Sequence, residues 1–273
     1  MFRDRGIEIK TREQILAMRA AGLVVGRTLE LLRGEVRAGI STGELDAIAE
    51  DHIRSSGATP SFKGYHGFTG SICASVNDEI VHGIPGDRVL AEGDLISIDC
   101  GAIVDGWHGD AAITVGVGTA DAELLELARI CEESMWRGFA AAKLGGRLTD
   151  ISAAVEAHVR ATSSYGIVED FVGHGIGSAM HQPPNVPNFG RPGRGPKLVE
   201  GLALAVEPMI TLGKQDNHTL DDDWTVVTDD GRAAAHTEHT FTLTPQGPWV
   251  LTALDGGEAK LAELGVTFGP LAD

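Results

Sequence analysis

The sequence predicts an α+β domain in which helices alternate with antiparallel strand pairs. Three observations lead there. Helical segments are read at about 11–32, 41–57, 122–143 and 150–162, and short apolar runs of strand length lie between and beyond them. Two apolar arms flank Asp105-Gly106, a pair that favours a tight hairpin turn. No long linker interrupts the 273 residues, so one domain is expected, with a core over about 10–250 and a peripheral C-terminal tail from 252 to 273.

Each element has a local reason. Thr11 and Gln14 have capping-box spacing, and Ile15, Met18, Val25, Leu29 and Leu32 then share one helical face. Ser41 and Glu44 repeat the box for a second helix that stops near Gly57. Residues between Pro60 and Gly70 are rich in glycine and aromatics, which predicts an ordered loop. Strand-like runs follow at Ile72–Val76 and Leu95–Asp99, then the hairpin and two further helices. Beyond Gly166 short strands are expected near Ala203–Val206, Thr225–Val227 and Glu238–Leu243, with Gly- and Pro-rich loops over 173–196. Each half thus offers two helices and an acid-bearing strand pair.

Composition narrows the class. The net charge is −17, from 39 acidic against 22 basic residues, so the chain has little to gain from a phosphate backbone and nucleic-acid binding is not expected. Most of those acids suit a solvated surface, and a few suit a cation site. Three cysteines without a C-x-x-C pair give no basis for a disulfide framework or a thiolate zinc site. No apolar run reaches the ~18 residues needed to span a bilayer, and the N-terminus lacks a signal-type apolar stretch, so a cytoplasmic protein without membrane partners is expected.

Carboxylates in apolar strands are the anomaly. Asp99 lies within LISIDCG, and Asp110 sits eleven residues later on the returning arm. An antiparallel pair can bring two such groups together on one face, where they repel unless a cation separates them. The bland alternative, a surface-turn acid, suits Asp105 better than Asp99. Glu207 in ALAVEPMITL and Glu238 in HTEHTFTL repeat the pattern. On a strand His236, Glu238 and Thr240 share one face, and the tract H-T-E-H lacks the spacing of helical zinc-protease motifs. His174 lies in VGHGIG, with no Lys-Ser/Thr following to support a phosphate loop, and His181 comes seven residues later. Four carboxylates and one imidazole form a hard donor set suited to paired Mn²⁺, Fe²⁺, Co²⁺ or Zn²⁺ ions, which bridging carboxylates hold ~3.5–4 Å apart in hydrolytic sites.

NDEIVHGIP (Asn77–Pro85), the Asp99/Asp110 hairpin, GHGIG (Gly173–Gly177), VEPM (Val206–Met209) and TEHT (Thr237–Thr240) occur in that order. Together they resemble the methionine aminopeptidases, over roughly residues 10 to 250. The resemblance implies the pita-bread fold, with pseudo-twofold halves each packing paired helices on a curved antiparallel sheet. The 31-residue interval between Glu207 and Glu238 leaves no room for the helical insertion of type II enzymes, and so resembles the short bacterial type I form. It further implies two divalent ions (Co, Mn, Fe, Zn or Ni) held by Asp99, Asp110, His174, Glu207 and Glu238. Asp110 and Glu238 would bridge, and Asp99 would also meet the substrate amine.

The same resemblance gives the remaining roles. Cation-activated water is the nucleophile and Glu207 the general base. His181 would bond the scissile carbonyl oxygen and His82 the scissile amide nitrogen. Tyr65, Phe68, Cys73 and Trp224 would line the methionine pocket, with His82 and His181 at the substrate. The expected reaction is removal of initiator methionine from nascent chains when the next residue is small, by a monomer that meets the ribosome only transiently. Met180 and Thr237 stand where aromatics are usual in the family, and His236 where glutamine is common. A proline-specific aminopeptidase or dipeptidase shares the ligand set but usually carries a large extra N-terminal domain. A non-catalytic binding protein on this fold would be expected to have lost ligands, and all five are filled here.

Overall fold

The computed structural model describes residues 6–271. Helix α1 (Arg12–Glu35) starts at Thr11, whose hydroxyl accepts from Gln14 N–H while the Gln14 side chain returns to the Thr11 N–H. Helix α2 (Thr42–Ser55) starts with the same box between Ser41 and Glu44. Each cap satisfies otherwise orphaned backbone donors and contributes about 1 kcal/mol. The five apolar residues that define the predicted face of α1 are all buried.

Strands β1 (Thr59–Pro60), β2 (Ile72–Val76) and β3 (Glu79–Val81) precede the long hairpin of β4 (Leu95–Val104) and β5 (Trp107–Gly116). Its turn is Asp105-Gly106, both with positive φ, the geometry that matches the twist of the arms. Helices α3 (Ala122–Ala141) and α4 (Leu148–Thr162) follow. The second half then runs in short strands: β6 (Gly166–Ile167), β7 (Gly173–Gly175), β8 (Gln182–Val186), β9 (Ala203–Val206) and β10 (Met209–Thr211). After these come β11 (Asn217–Thr219), β12 (Val226–Thr228), β13 (Ala234–His236), β14 (Glu238–Thr244), β15 (Gly247–Val250) and helix α5 (Glu258–Glu263). The stretch 173–196, expected as loop, contains β7 and β8, whose ladder with β9 places His174 on the sheet.

A nine-stranded antiparallel sheet in the order β1-β4-β5-β14-β9-β7-β8, with β2 added to β4 and β15 to β14, runs through both halves. Helices α1 and α2 cover one half, where Val25, Leu29 and Leu32 pack with Leu45, Ile53, Ile96 and Ile98. Helices α3 and α4 cover the other, where Phe139, Ile151 and Val155 meet Leu204, Val206 and Phe241. Leu261 of α5 is buried in that second cluster. This is the curved antiparallel sheet with paired helices that the family resemblance implied. At about 1.5–3 kcal/mol for each large side chain removed from water, the two clusters stabilise the helices far more than their caps do.

The first helix approaches the hairpin very closely. A Cβ on Gly109 would lie 2.7 Å from Gly22 N, and one on Gly22 would lie 2.2 Å from Leu251 O. Only glycines permit that contact, and it seats α1 against β5 next to Asp110.

Candidate metal centre and adjoining pocket

The sheet register assembles the carboxylates. Asp99 and Glu238 both pair with Ala112, one from each side, and Asp110 pairs with Gly101, two residues along β4 from Asp99. Because alternate residues share a face, Asp99, Asp110 and Glu238 point the same way. His174 pairs with Ala205, and Glu207 lies two residues further along the same strand line. Thr240 also pairs with Ala205, which sets His174 and Glu207 on the face of Glu238. Five residues from sequence positions 99 to 238 therefore converge on one surface of one sheet.

Local contacts fix them. The Asp110 N–H donates to Thr240 Oγ1 at 3.1 Å, and that hydroxyl donates to the Asp110 carbonyl at 2.8 Å. The Asn188 amide donates to the Glu207 carbonyl at 3.0 Å. His174 Nδ1 lies 3.0 Å from the Gly175 carbonyl, which can only accept, so Nδ1 carries the proton. Its Nε2 lone pair is thereby left facing Glu207 Oε1 at 3.5 Å and Glu238 Oε1 at 3.8 Å. Burial holds the His174 pKa down at about 3, keeping the ring neutral.

The carboxylates are electrostatically unsatisfied. Burial raises Asp99 to about 7 and Glu207 to about 8. Burial, then the neighbouring carboxylates, push Asp110 and Glu238 well above the usual range. Among the described residues Asp99 Oδ1, Asp110 Oδ1, Glu238 Oε1 and His236 Nε2 are buried without a hydrogen-bond partner. Each such orphan costs about 1–3 kcal/mol, more where charged. Divalent cations answer both problems, since they take oxygen and imidazole donors and cancel the repulsion. Two ligand triads sit closely enough: Asp110, His174 and Glu238, and Glu207, His236 and Glu238, each with donor atoms within 4.8 Å of one another. The residues present fit the metal.

A narrow cavity of about 60 Å³ opens beside the cluster. Tyr65, Phe68, Cys73, His82, His181 and Trp224, which the family resemblance assigns to substrate, all line it together with the five acidic and imidazole residues. Cys73 pairs with Asp99 across β2 and β4, so the pocket and the carboxylates occupy one row of the sheet. Burial and the nearby carboxylates keep its thiol protonated. Phe68 and Trp224 meet edge to face at 5.0 Å, and His82, at φ 58°, lies 6.2 Å from Trp224. Tyr65 Oη lies 2.9 Å from His181 Nδ1, and the His181 ring stands 4.4 Å from His174.

Met180, where the family resemblance leads one to expect an aromatic, is buried in one cluster with Phe62 and Phe68. Phe62 escaped the sequence reading, because nothing in SFKGYHGF separates it from a loop residue. His236, which departs from the family's common glutamine, enters one of the two ligand triads.

Comparison with known proteins gives a consistent result. Residues 16–245 match the model of metallopeptidase family M24. The methionine aminopeptidase of Clostridium perfringens is 52% identical over 248 residues, covering 91% of this chain and 99% of its own. Methionine aminopeptidase 1 of Mycobacterium tuberculosis is 53% identical over 257 residues, covering 91% and 96%. The crystal structure of the methionine aminopeptidase from Thermotoga maritima superposes with a TM-score of 0.88 at 38% identity, over 90% of this chain and 99% of that one. The prolidase of Pyrococcus furiosus, at 22% identity and a TM-score of 0.72 over 89% and 65%, shares the fold.

Proposed function

The chain belongs to metallopeptidase family M24, and from that premise we propose that it is a methionine aminopeptidase of type I that releases N-terminal methionine from polypeptides. The observation that carries this reading is the single row in which an apolar, sulfur-bearing slot adjoins a carboxylate-imidazole cluster. A thioether is unbranched and polarisable, so it suits a slot walled by aromatics, Cys73 and Met180. In this reading the 273-residue chain acts as a single catalytic domain with its core over about 10–250. No helix among the described residues is long and apolar enough to cross a membrane.

Asp99, Asp110, His174, Glu207 and Glu238 would hold two divalent cations. Once bound, such ions supply Lewis acidity and make water acidic enough to attack a peptide carbonyl near neutral pH. The chain's own residues do the rest. Glu207, held ionised once cations are bound beside it, would accept a proton and pass it to the leaving amine. Burial holds the Tyr65 phenol protonated, so it can donate to His181 Nδ1. That leaves the proton of neutral His181 on Nε2, where it can bond the carbonyl oxygen as negative charge builds. His82, also neutral because burial lowers it to about 4, faces the same cavity and would contact the scissile nitrogen. Asp99 would receive the substrate's α-amine, which restricts cleavage to chain ends.

A proline-specific aminopeptidase is the second reading, since prolidases share the fold. Incubation with Met-Gly-Met-Met and with X-Pro peptides separates the two. Methionine release from the first, with the second left intact, is expected. X-Pro cleavage without methionine release would overturn the assignment.

A further inference from the structure

The roles above leave no task for His236, although it is one of the most enclosed side chains of the site, with 2% of its surface exposed. Its backbone is held from both sides. The N–H lies 3.2 Å from Ser97 Oγ and 3.1 Å from Thr114 Oγ1, and the carbonyl accepts from Thr114 Oγ1 at 2.7 Å. It also pairs with Met209 across β10 and β13. The ring is therefore delivered to a fixed place. There Nε2 lies 3.4 Å from Glu207 Oε2, buried and without a hydrogen bond.

An imidazole nitrogen enclosed in this way needs a proton to share or a cation to bind. The surroundings favour the cation. Glu207, His236 and Glu238 present donor atoms within 4.8 Å of one another, as Asp110, His174 and Glu238 do. Glu238 belongs to both groups, and each group contains one histidine and one further carboxylate.

We propose that His236 is a sixth ligand of the metal centre, donating Nε2 to the cation that Glu207 and Glu238 hold. The proposal rests on the dinuclear reading given above. It makes the centre more nitrogen-rich than five ligands would. A second imidazole favours Zn²⁺, Co²⁺, Ni²⁺ and Fe²⁺ over Mg²⁺ or Ca²⁺. The competing role is an ordinary ion pair, with a protonated His236 held against Glu207.

Magnetic resonance of the full chain, with isotope-labelled histidine nitrogens and two equivalents of a spin-active cadmium isotope, tells these apart. A direct nitrogen–cadmium coupling reports a bond and does not arise from a second-sphere ion pair. Two coupled imidazole nitrogens are expected, one lost in His174→Gln and the other in His236→Gln. One coupled nitrogen, lost in His174→Gln and kept in His236→Gln, would overturn the sixth ligand and leave the centre standing. No coupled nitrogen would overturn the metal-centre reading itself. The count in the unsubstituted protein decides between one and two even if a variant fails to fold.

Discussion

Tyr65 Oη and His181 Nδ1 are 2.9 Å apart, and a phenol that donates across this contact leaves the His181 proton on Nε2. Removing the imidazole in His181→Ala should lower kcat by roughly 10²–10³-fold, the range for losing one oxyanion donor, with bound metal retained. Tyr65→Phe keeps the ring in the pocket and removes the hydroxyl. It should lower kcat by roughly tenfold with little change in KM, a partial loss of properly positioned donor. Steady-state kinetics on a Met-peptide check both. Unchanged kcat in Tyr65→Phe would show that the tautomer is set elsewhere.

Asp110→Ala and His174→Ala should each abolish metal binding and turnover together. Each removes a donor from a triad that has only three. Metal analysis after dialysis, run beside the peptide assay, measures both properties at once. Activity retained in either variant would remove the five-ligand assignment.

The raised carboxyls predict an inverted pH response in the metal-free protein. Asp99 and Glu207 move from ordinary values of 3.8 and 4.5 to about 7 and about 8 on folding. Between those limits the folded chain binds more protons than the unfolded one, so its stability falls as pH rises through that window. Thermal melts of chelator-treated protein should therefore give a lower Tm at pH 8 than at pH 5. Cations added near pH 7 should expel protons, which calorimetry in buffers of different ionisation enthalpy would count. A Tm that rises across the window would show that the carboxyls are not held protonated.

Gly22→Ala should destabilise the fold by about 1–3 kcal/mol, the usual cost of overpacking. The new methyl would meet Leu251 O, a backbone atom with little freedom to retreat. Denaturant melts would register the change, and a neutral result would mean that α1 can shift off the sheet without cost.

Much of this was legible beforehand where a local rule dominates. Capping boxes at Thr11 and Ser41, the Asp105-Gly106 turn and the long period of α1 each draw on neighbours a few residues away. Asp99 stood out because an acid within an apolar strand is costly wherever the strand packs. The three-residue strands β7, β10 and β13 were not legible, since three residues are too few to show a period and these hold only by pairing with distant strands. For the same reason His236 could be placed on the face of Glu238 but not 3.4 Å from Glu207, a distance set by the register of β10 with β13. Phe62 gave no signal because the cluster that buries it draws on residues as distant as Met180.

The convergence of Asp99, Asp110, His174, Glu207 and Glu238 on one sheet face also bears on how the chain is tied together. These residues bracket about half of the polypeptide, including α3 and α4. Ions shared among them would act as a reversible cross-link that closes a very long loop, much as a disulfide would, but governed by metal supply rather than redox state. The protein's resistance to proteolysis should then follow free metal concentration, so that metal starvation silences the enzyme and also shortens its life.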